Sequence, residues 1–220
     1  MMDHRKWPVA KEAMPFAIPL ALLTALTVAL RRRLGRFLWA LPGSLFLFVL
    51  YFFRNPKREA QAEDKELLSP ADGKVMSVTD IEFEDEFLKA PATKVTIFLS
   101  IFDVHINRSP ITGEVAHLRY QEGKFLPAFM KRAPGDNERN YMGLISGRYR
   151  HKVLVTQIVG LLARRIVCWS EHGDHLAQGE RFGLMKFGSC VELCAPAGSE
   201  IYVKAGDKVK GGVTIIGRLP

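Results

Sequence analysis

Cysteine is scarce in this chain, and negative charge falls short of positive. The 220 residues hold three cysteines, Cys168, Cys190 and Cys194. That odd number excludes an even disulfide framework, and none of the spacings is that of a metal-ligand pair. The simplest reading is three buried thiols, each a small apolar residue, in a reducing compartment. Asp and Glu number 23 against 31 Lys and Arg, giving a net charge of +8. Such an excess implies an anionic partner, either nucleic acid or an anionic membrane surface. The chain has no internal repeat and no low-complexity segment. It also lacks the Gly-x-Ser-x-Gly turn of a serine hydrolase, because Val191 stands where a glycine is needed after Ser189.

Long uncharged runs are present, and they choose between the two partners. Residues 14–30 and 37–53 carry no charge, and each is about the minimum length for a membrane-spanning helix. Between them lies Arg31-Arg32-Arg33-Leu34-Gly35-Arg36. Residues 1–58 therefore read as a membrane-associated hydrophobic helical hairpin with a basic turn. A signal peptide fits poorly, since a second apolar segment comes directly after the first with no small-residue cleavage site between. Pro15, Pro19 and Pro42 are expected to kink the helices, so two full spans and a re-entrant or interfacial hairpin both stay open. Trp39, Tyr51, Arg54, Lys57 and Arg58 suit a membrane interface. The flanks hold Arg5, Lys6, Lys11, Arg54, Lys57 and Arg58 against four arginines in the turn, which favours a cell-membrane protein with its main domain on the cytoplasmic side. Nucleic acid is disfavoured, because the basic residues are scattered and apolar hairpin arms have no use there.

Residues 59–220 change character. Short apolar runs alternate with turn residues: Lys74-Val75-Met76-Ser77-Val78 after a turn at 69–73, then residues 94–101, 114–120, 152–159, 188–193, 201–204 and 213–217. Residues 161–169 suit a strand or a short helix equally. Residues 130–140, polar and containing Pro134-Gly135, read as a loop. This spacing predicts a mainly β domain, a sandwich or barrel with few short helices, behind the N-terminal hairpin.

Gly188-Ser189, inside Phe187-Gly188-Ser189-Cys190-Val191, is the most informative pair. A serine hydroxyl can attack the preceding carbonyl and turn the amide into an ester, and glycine leaves that attack unobstructed. Elimination and hydrolysis then leave a pyruvoyl group, a ketone able to hold a substrate amine as a Schiff base.

Several further motifs stand in order. They are Phe52-Phe53-Arg54-Asn55-Pro56, Ser69-Pro70-Ala71-Asp72-Gly73, Phe102-Asp103-Val104-His105-Ile106-Asn107-Arg108-Ser109-Pro110, Asn137-Glu138-Arg139-Asn140, Gln157-Ile158-Val159-Gly160 and Ala163-Arg164-Arg165-Ile166. With Phe187-Gly188-Ser189 they resemble the phosphatidylserine decarboxylase proenzymes of the short, membrane-anchored type. The resemblance covers about residues 50–220, with 137–140 similar to a family loop. It implies a zymogen that cuts itself between Gly188 and Ser189 into a β chain, 1–188, and an α chain, 189–220. The cofactor is then a covalent pyruvoyl group made from Ser189, and the substrate a membrane phospholipid. Longer members carry a second histidine in the histidine motif. Here Arg108 stands in that place and His105 remains.

On this resemblance, self-cleavage needs a base for Ser189 and a group that orients the base. Asp72 and His105 are the natural pair, with Asp72 fixing the imidazole tautomer and His105 taking the proton. Arg108, Arg139, Arg164 and Arg165 are the candidates for the substrate's phosphodiester or carboxylate. Phe125, with Phe129 and Met130, can form an apolar slot for acyl chains. His172-Gly173-Asp174-His175 lacks a third anchor, so no metal is expected. A homo-oligomer is compatible with the sequence. Two other readings stay open: the same chemistry on an ether-lipid analogue, archaetidylserine, and a non-catalytic membrane-tethered module like lipoyl carriers.

Overall fold

Apolar residues at every second position build most of this molecule. The structure, a computed structural model, describes residues 7–59, 61–126, 133–147, 149–160, 165–186 and 189–220. It divides into two compact units, one ending at Lys57 and one running from Arg58 to Pro220.

In the first unit a 3-10 turn, Lys11–Ala13, leads into α1, Met14–Ala29. The short basic helix α2, Arg31–Leu34, comes next, then α3, Ala40–Phe52, and α1 packs on α3. Thr24 and Thr27 turn their hydroxyls back to Leu20 O and Leu23 O, so neither leaves an idle donor on an apolar surface. Leu22, Leu41 and Leu47 are each more than 60% exposed. Pro15 and Pro42 lie in the first turns of their helices, where a missing N–H costs little, and only Pro19 is interior. The 19 residues of Lys11–Ala29 are long and apolar enough to cross a membrane. The 13 residues of α3 extend about 20 Å at roughly 1.5 Å each, short of the ~30 Å hydrocarbon core. The second apolar segment thus yields a shorter helix than its length suggested, because residues 35–39 are spent on the turn.

The second unit is mainly β. Its strands are β1 (Glu66–Leu68), β2 (Gly73–Glu84), β3 (Ala90–Leu99), β4 (Ile106–Arg108), β5 (Gly113–Gln121), β6 (Arg139–Ser146), β7 (Lys152–Val159), β8 (Ile166–Cys168), β9 (His175–Leu176), β10 (Arg181–Met185), β11 (Ser189–Pro196), β12 (Glu200–Ile201), β13 (Lys208–Val209) and β14 (Ile215–Arg218). A one-turn helix, Ala133–Asp136, precedes β6. Eight strands form one antiparallel sheet in the order β13-β2-β3-β11-β7-β6-β5-β9. Two three-stranded sheets, β1-β14-β12 and β4-β10-β8, accompany it. Val95, Ile97 and Leu99 of β3, Val191 and Leu193 of β11, and Val153 and Val155 of β7 line the inner face of the large sheet. Leu67 and Ile216 from one small sheet and Phe182 and Met185 from the other complete the same core.

One sequence expectation needs correction, and one open reading is decided in part. Arg139 and Asn140 open strand β6 instead of lying in a loop, and both are buried despite their polarity. Residues 166–168 of the ambiguous 161–169 segment are a strand.

Candidate active site

Ser189 is the first residue of β11, the strand inserted between β3 and β7. It pairs with Leu99 on one side and Val159 on the other. Paired residues share a face of an antiparallel sheet and successive residues alternate, so Ser189 shares the inner face with Val191. The residue is fully buried, and its Oγ has no hydrogen-bond partner among the described residues. Gly188 lies outside them.

Two connections bring His105 to this place. Ser100 comes directly after Leu99, the partner of Ser189. Its N–H and hydroxyl both donate to Asp103 Oδ2, at 2.8 and 2.6 Å, and Asp103 N–H returns to Ser100 O. This closed turn hands the chain to β4. There Ile106 pairs with Leu184 of β10, and Met185 N–H donates to His105 O at 3.2 Å. His105 therefore flanks the segment that runs from Met185 into Ser189. Its ring is buried, with Nδ1 3.0 Å from Asp103 O. A carbonyl only accepts, so Nδ1 carries the proton and Nε2 is the basic nitrogen.

Asp72 does not take the expected part. Its carboxylate accepts from Arg58 Nη1 and Nη2, at 2.5 and 2.8 Å, and from Gly211 N–H at 2.8 Å. None of these donors belongs to His105. Asp103 O holds the imidazole instead, a contact that side-chain identity could not announce. Asp72 still bears on the site through the turn at 69–73, because Pro70 O accepts the N–H of Arg108 on β4.

The arginines separate. Arg108 is 1% exposed and donates from Nη1 to Gly179 O at 2.9 Å. Burial, then Arg181 and Arg58, pull its pKa down to about 10, with Asp72 opposing. It pairs with Arg181, at the end of the β4–β10 ladder away from Met185 and Ser189. Arg139 is buried, with Nε on Asn137 O and an Nη2 that has no partner among the described residues. It pairs with Ile158, which pairs with Cys190, so it lies on the face opposite to Ser189. Arg165 is exposed, and its carbonyl accepts Lys186 N–H, three residues before Ser189. Arg164, Phe129 and Met130 lie outside the described residues. Phe125 is 38% exposed; its neighbour Leu126 is tied by N–H and O to the Asn137 side chain, which also donates to Val159 O at 2.8 Å. Asn137 thus pins residues 124–126 beside the strand partner of Ser189.

Burial pushes the Cys190 and Cys194 thiols up to about 12, so both are poor nucleophiles. Among the described residues no cluster of His, Cys, Asp and Glu could hold a metal.

A buried serine hydroxyl with no partner among the described residues, four residues after the one that binds a buried histidine's carbonyl, can support acyl transfer, and comparison with known proteins says in which setting. The family model for phosphatidylserine decarboxylase matches residues 45–217. The chain belongs to the phosphatidylserine decarboxylase family. The phosphatidylserine decarboxylase proenzyme of Symbiobacterium thermophilum is 48% identical over 220 residues, all of both chains. That of Carboxydothermus hydrogenoformans is 46% identical over 95% of each chain. That of Syntrophus aciditrophicus is 41% identical over 98% of this chain and 99% of its own. Membership of this family makes the chain a decarboxylase, and the motifs that carried the resemblance lie within the matched span from Phe52 onward.

Proposed function

We propose that the chain is a proenzyme that cuts itself between Gly188 and Ser189 and then converts phosphatidylserine to phosphatidylethanolamine. The observation that carries this reading is the buried Ser189 hydroxyl, idle at the head of a central strand, next to the segment that His105 flanks. An unpaired buried hydroxyl costs about 1–3 kcal/mol, a cost that a reaction at that atom explains.

In the cut, Ser189 Oγ adds to the Gly188 carbonyl carbon while its proton passes to His105 Nε2. The carbonyl π pair moves to oxygen. It returns as the C–N bond breaks and the Ser189 nitrogen takes a proton, leaving an ester. Loss of the Ser189 α-proton then expels the Gly188 carboxylate from the β-carbon. The resulting dehydroalanine takes up one water and releases one ammonia, which leaves a pyruvoyl group at the start of the 189–220 chain.

That group supplies a ketone that binds a primary amine and accepts the electron pair freed when carbon dioxide leaves. The chain's own residues do the rest. His105, oriented by Asp103 O, holds the proton that returns to the substrate's α-carbon. Arg165, exposed beside Lys186, meets the anionic head group, with Arg164 next to it in sequence. Phe125 offers an apolar edge to the acyl chains. Arg108 and Arg139 are buried and serve the fold around the site. The apolar hairpin holds the protein at a membrane, with the catalytic unit on the cytoplasmic side. Basic residues close to the surface add on the order of 1 kcal/mol each toward anionic lipid.

Intact-mass measurement on purified protein tests the cut. A large fragment ending at Gly188 and a small one beginning with pyruvate are expected, and Ser189→Ala should stay whole and inactive. The cut protein should decarboxylate labelled phosphatidylserine but hardly touch free serine, and borohydride reduction of the ketone should abolish turnover. An active protein that remains one uncut chain would refute the reading.

A further inference from the structure

Three buried primary amides form a chain in the second unit. Asn140 Nδ2 donates to Gln157 Oε1 at 3.1 Å, and Gln157 Nε2 donates to Asn107 Oδ1 at 2.8 Å. Asn107 and Gln157 are fully buried, and Asn140 is 6% exposed. Each amide donates to the oxygen of the next, so the leftover donor falls at the end. Asn107 Nδ2 is buried and, among the described residues, has no partner. An idle donor of this kind costs about 1–3 kcal/mol.

The backbone says where this donor stands. His105 stands one residue before β4 and Asn107 is its middle residue, so the two lie within roughly 7 Å of each other along the chain. Gln157 shares its face with Val159, the strand partner of Ser189. Asn107 and His105 also share a neighbour, because β10 passes the first at Gly183 and the second at Met185, four residues before Ser189. Gly183 permits the approach: a Cβ there would lie 2.3 Å from Val167 O and 3.2 Å from Gln157 Nε2.

Resting on the self-cleavage reading above, we infer that Asn107 Nδ2 donates to the oxyanion that forms on Gly188 O when Ser189 attacks. His105 takes the proton and Asn107 takes up the charge. The bond-making is that of the attack already given. Ser189 Oγ bonds to the carbonyl carbon, the π pair becomes the oxyanion's lone pair, and the N–H hydrogen bond to it is released when that pair re-forms the carbonyl. A donor without a ground-state partner among the described residues, engaged only in the transition state, accelerates the step, since it does not first stabilise what must react.

The test tracks processing of freshly made full-length chains on denaturing gels, which needs no assay of decarboxylation. Asn107→Ala should cut about 10²–10³-fold more slowly than wild type, the usual effect of losing one oxyanion donor. Asn107→Asp keeps the oxygen that Gln157 needs but replaces the donor with a carboxylate. Its rate relative to wild type should rise about tenfold per pH unit on acidification, as the carboxyl becomes a donor. A residue that only held β4 in place would give Asn107→Asp the wild-type pH trend, and that result overturns the inference. So does a folded Asn107→Ala that cuts at the wild-type rate. If Asn107→Ala does not fold, the pH profile of Asn107→Asp decides alone. A wild-type chain that never cuts overturns the self-cleavage reading and this inference with it. A wild type that cuts beside unaffected Asn107 variants overturns this inference only.

Discussion

The proton on His105 sits on Nδ1 because Asp103 O, 3.0 Å away, can only accept. The carbonyl is held in turn by the Asp103 carboxylate, which binds the N–H and hydroxyl of Ser100. Asp72 works elsewhere, as the counter-charge among Arg58, Arg108 and Arg181. Substitutions at the two residues should therefore differ in kind. His105→Ala should slow self-cleavage more than about 10²-fold with little change in Tm, since it removes the base alone. Asp72→Asn should lower Tm by roughly 10 °C, because breaking a buried pair costs about 3 kcal/mol and a domain of this size loses about 2–4 °C per kcal/mol. It should slow cleavage as well, because the turn that carries Asp72 also holds β4 through Pro70 O. Melting curves and processing rates measured on both variants check the split, and a His105→Ala that loses stability but cuts normally would reverse the assignment. Ser189 and His105 could be named as candidates from the sequence because the proposed chemistry resides in their own side chains. The contact of Asp103 O with His105 could not, because a backbone carbonyl looks the same at every position.

At the scale of elements, β2, β3, β5, β7 and β11 were readable from runs of β-branched and apolar residues that one buried face demands. β6 was not, since it opens with Arg139 and Asn140 and is interrupted by Gly143. Their burial is offset in part by hydrogen bonds from Arg139 Nε to Asn137 O and from Asn140 Nδ2 to Gln157 Oε1. Gly143 is required because a Cβ there would lie 2.6 Å from the Phe87 ring. Gly73, at the start of β2, is stricter still. Its φ is +148°, and a Cβ would sit 2.0 Å from Phe98 O on β3. Gly73→Ala should destabilise the second unit by roughly 3–4 kcal/mol, the scale of strained backbone sites. Denaturant melts check this, and an unchanged midpoint would show that β3 yields freely. The turn between β2 and β3 is fastened to β5 by Glu86, which binds His117 Nε2 at 2.6 Å and both Arg119 Nε and Nη2. Arg119 first of all holds the Glu86 carboxyl below its ordinary 4.5, against the opposing effect of burial, and His117 adds a lesser pull in the same direction as Arg119. A depressed carboxyl stabilises the fold above its unfolded pKa, and that stability is lost as pH falls through the folded value. Glu86→Gln should thus lower Tm by a few degrees near pH 7, with the pair worth up to about 1 kcal/mol at a surface. The gap from wild type should start to close below about pH 4.5 and vanish in stronger acid. A gap that persists there would mean that Glu86 acts through packing.

For the whole molecule, the proposed cut between Gly188 and Ser189 would decide how two pieces stay together. Residues 189–220 contribute β11, β12, β13 and β14. In the proposed cut protein β11 keeps partners on both sides, from Cys190 opposite Phe98 to Pro196 opposite Ala92 on β3, and from Cys190 to Cys194 along β7. β13 remains on β2 and β14 on β1, so the short chain is stitched into two sheets. Val191, Leu193 and Ala195 lie in the same core as Val95, Ile97 and Val155. The cut would remove one covalent link and the Ser189 N–H and leave these contacts in place, so the two chains should elute as a single species without denaturant. Refolding should differ sharply. In the uncut Ser189→Ala chain, β11 is tethered and finds its slot between β3 and β7 within one molecule. In the cut protein the same strand arrives from solution, at micromolar concentration instead of the far higher effective concentration a tether gives. Nearly all contacts of β11 are non-local, so its insertion is slow and the open slot exposes two unpaired strand edges meanwhile. Cut protein diluted from denaturant should recover its sheet at a rate that depends on protein concentration, with losses to aggregation, while Ser189→Ala refolds at a rate that does not. Circular dichroism recorded over time at two dilutions tests this, and concentration-independent recovery of the cut protein would mean that the 189–220 chain docks onto a sheet already closed without it.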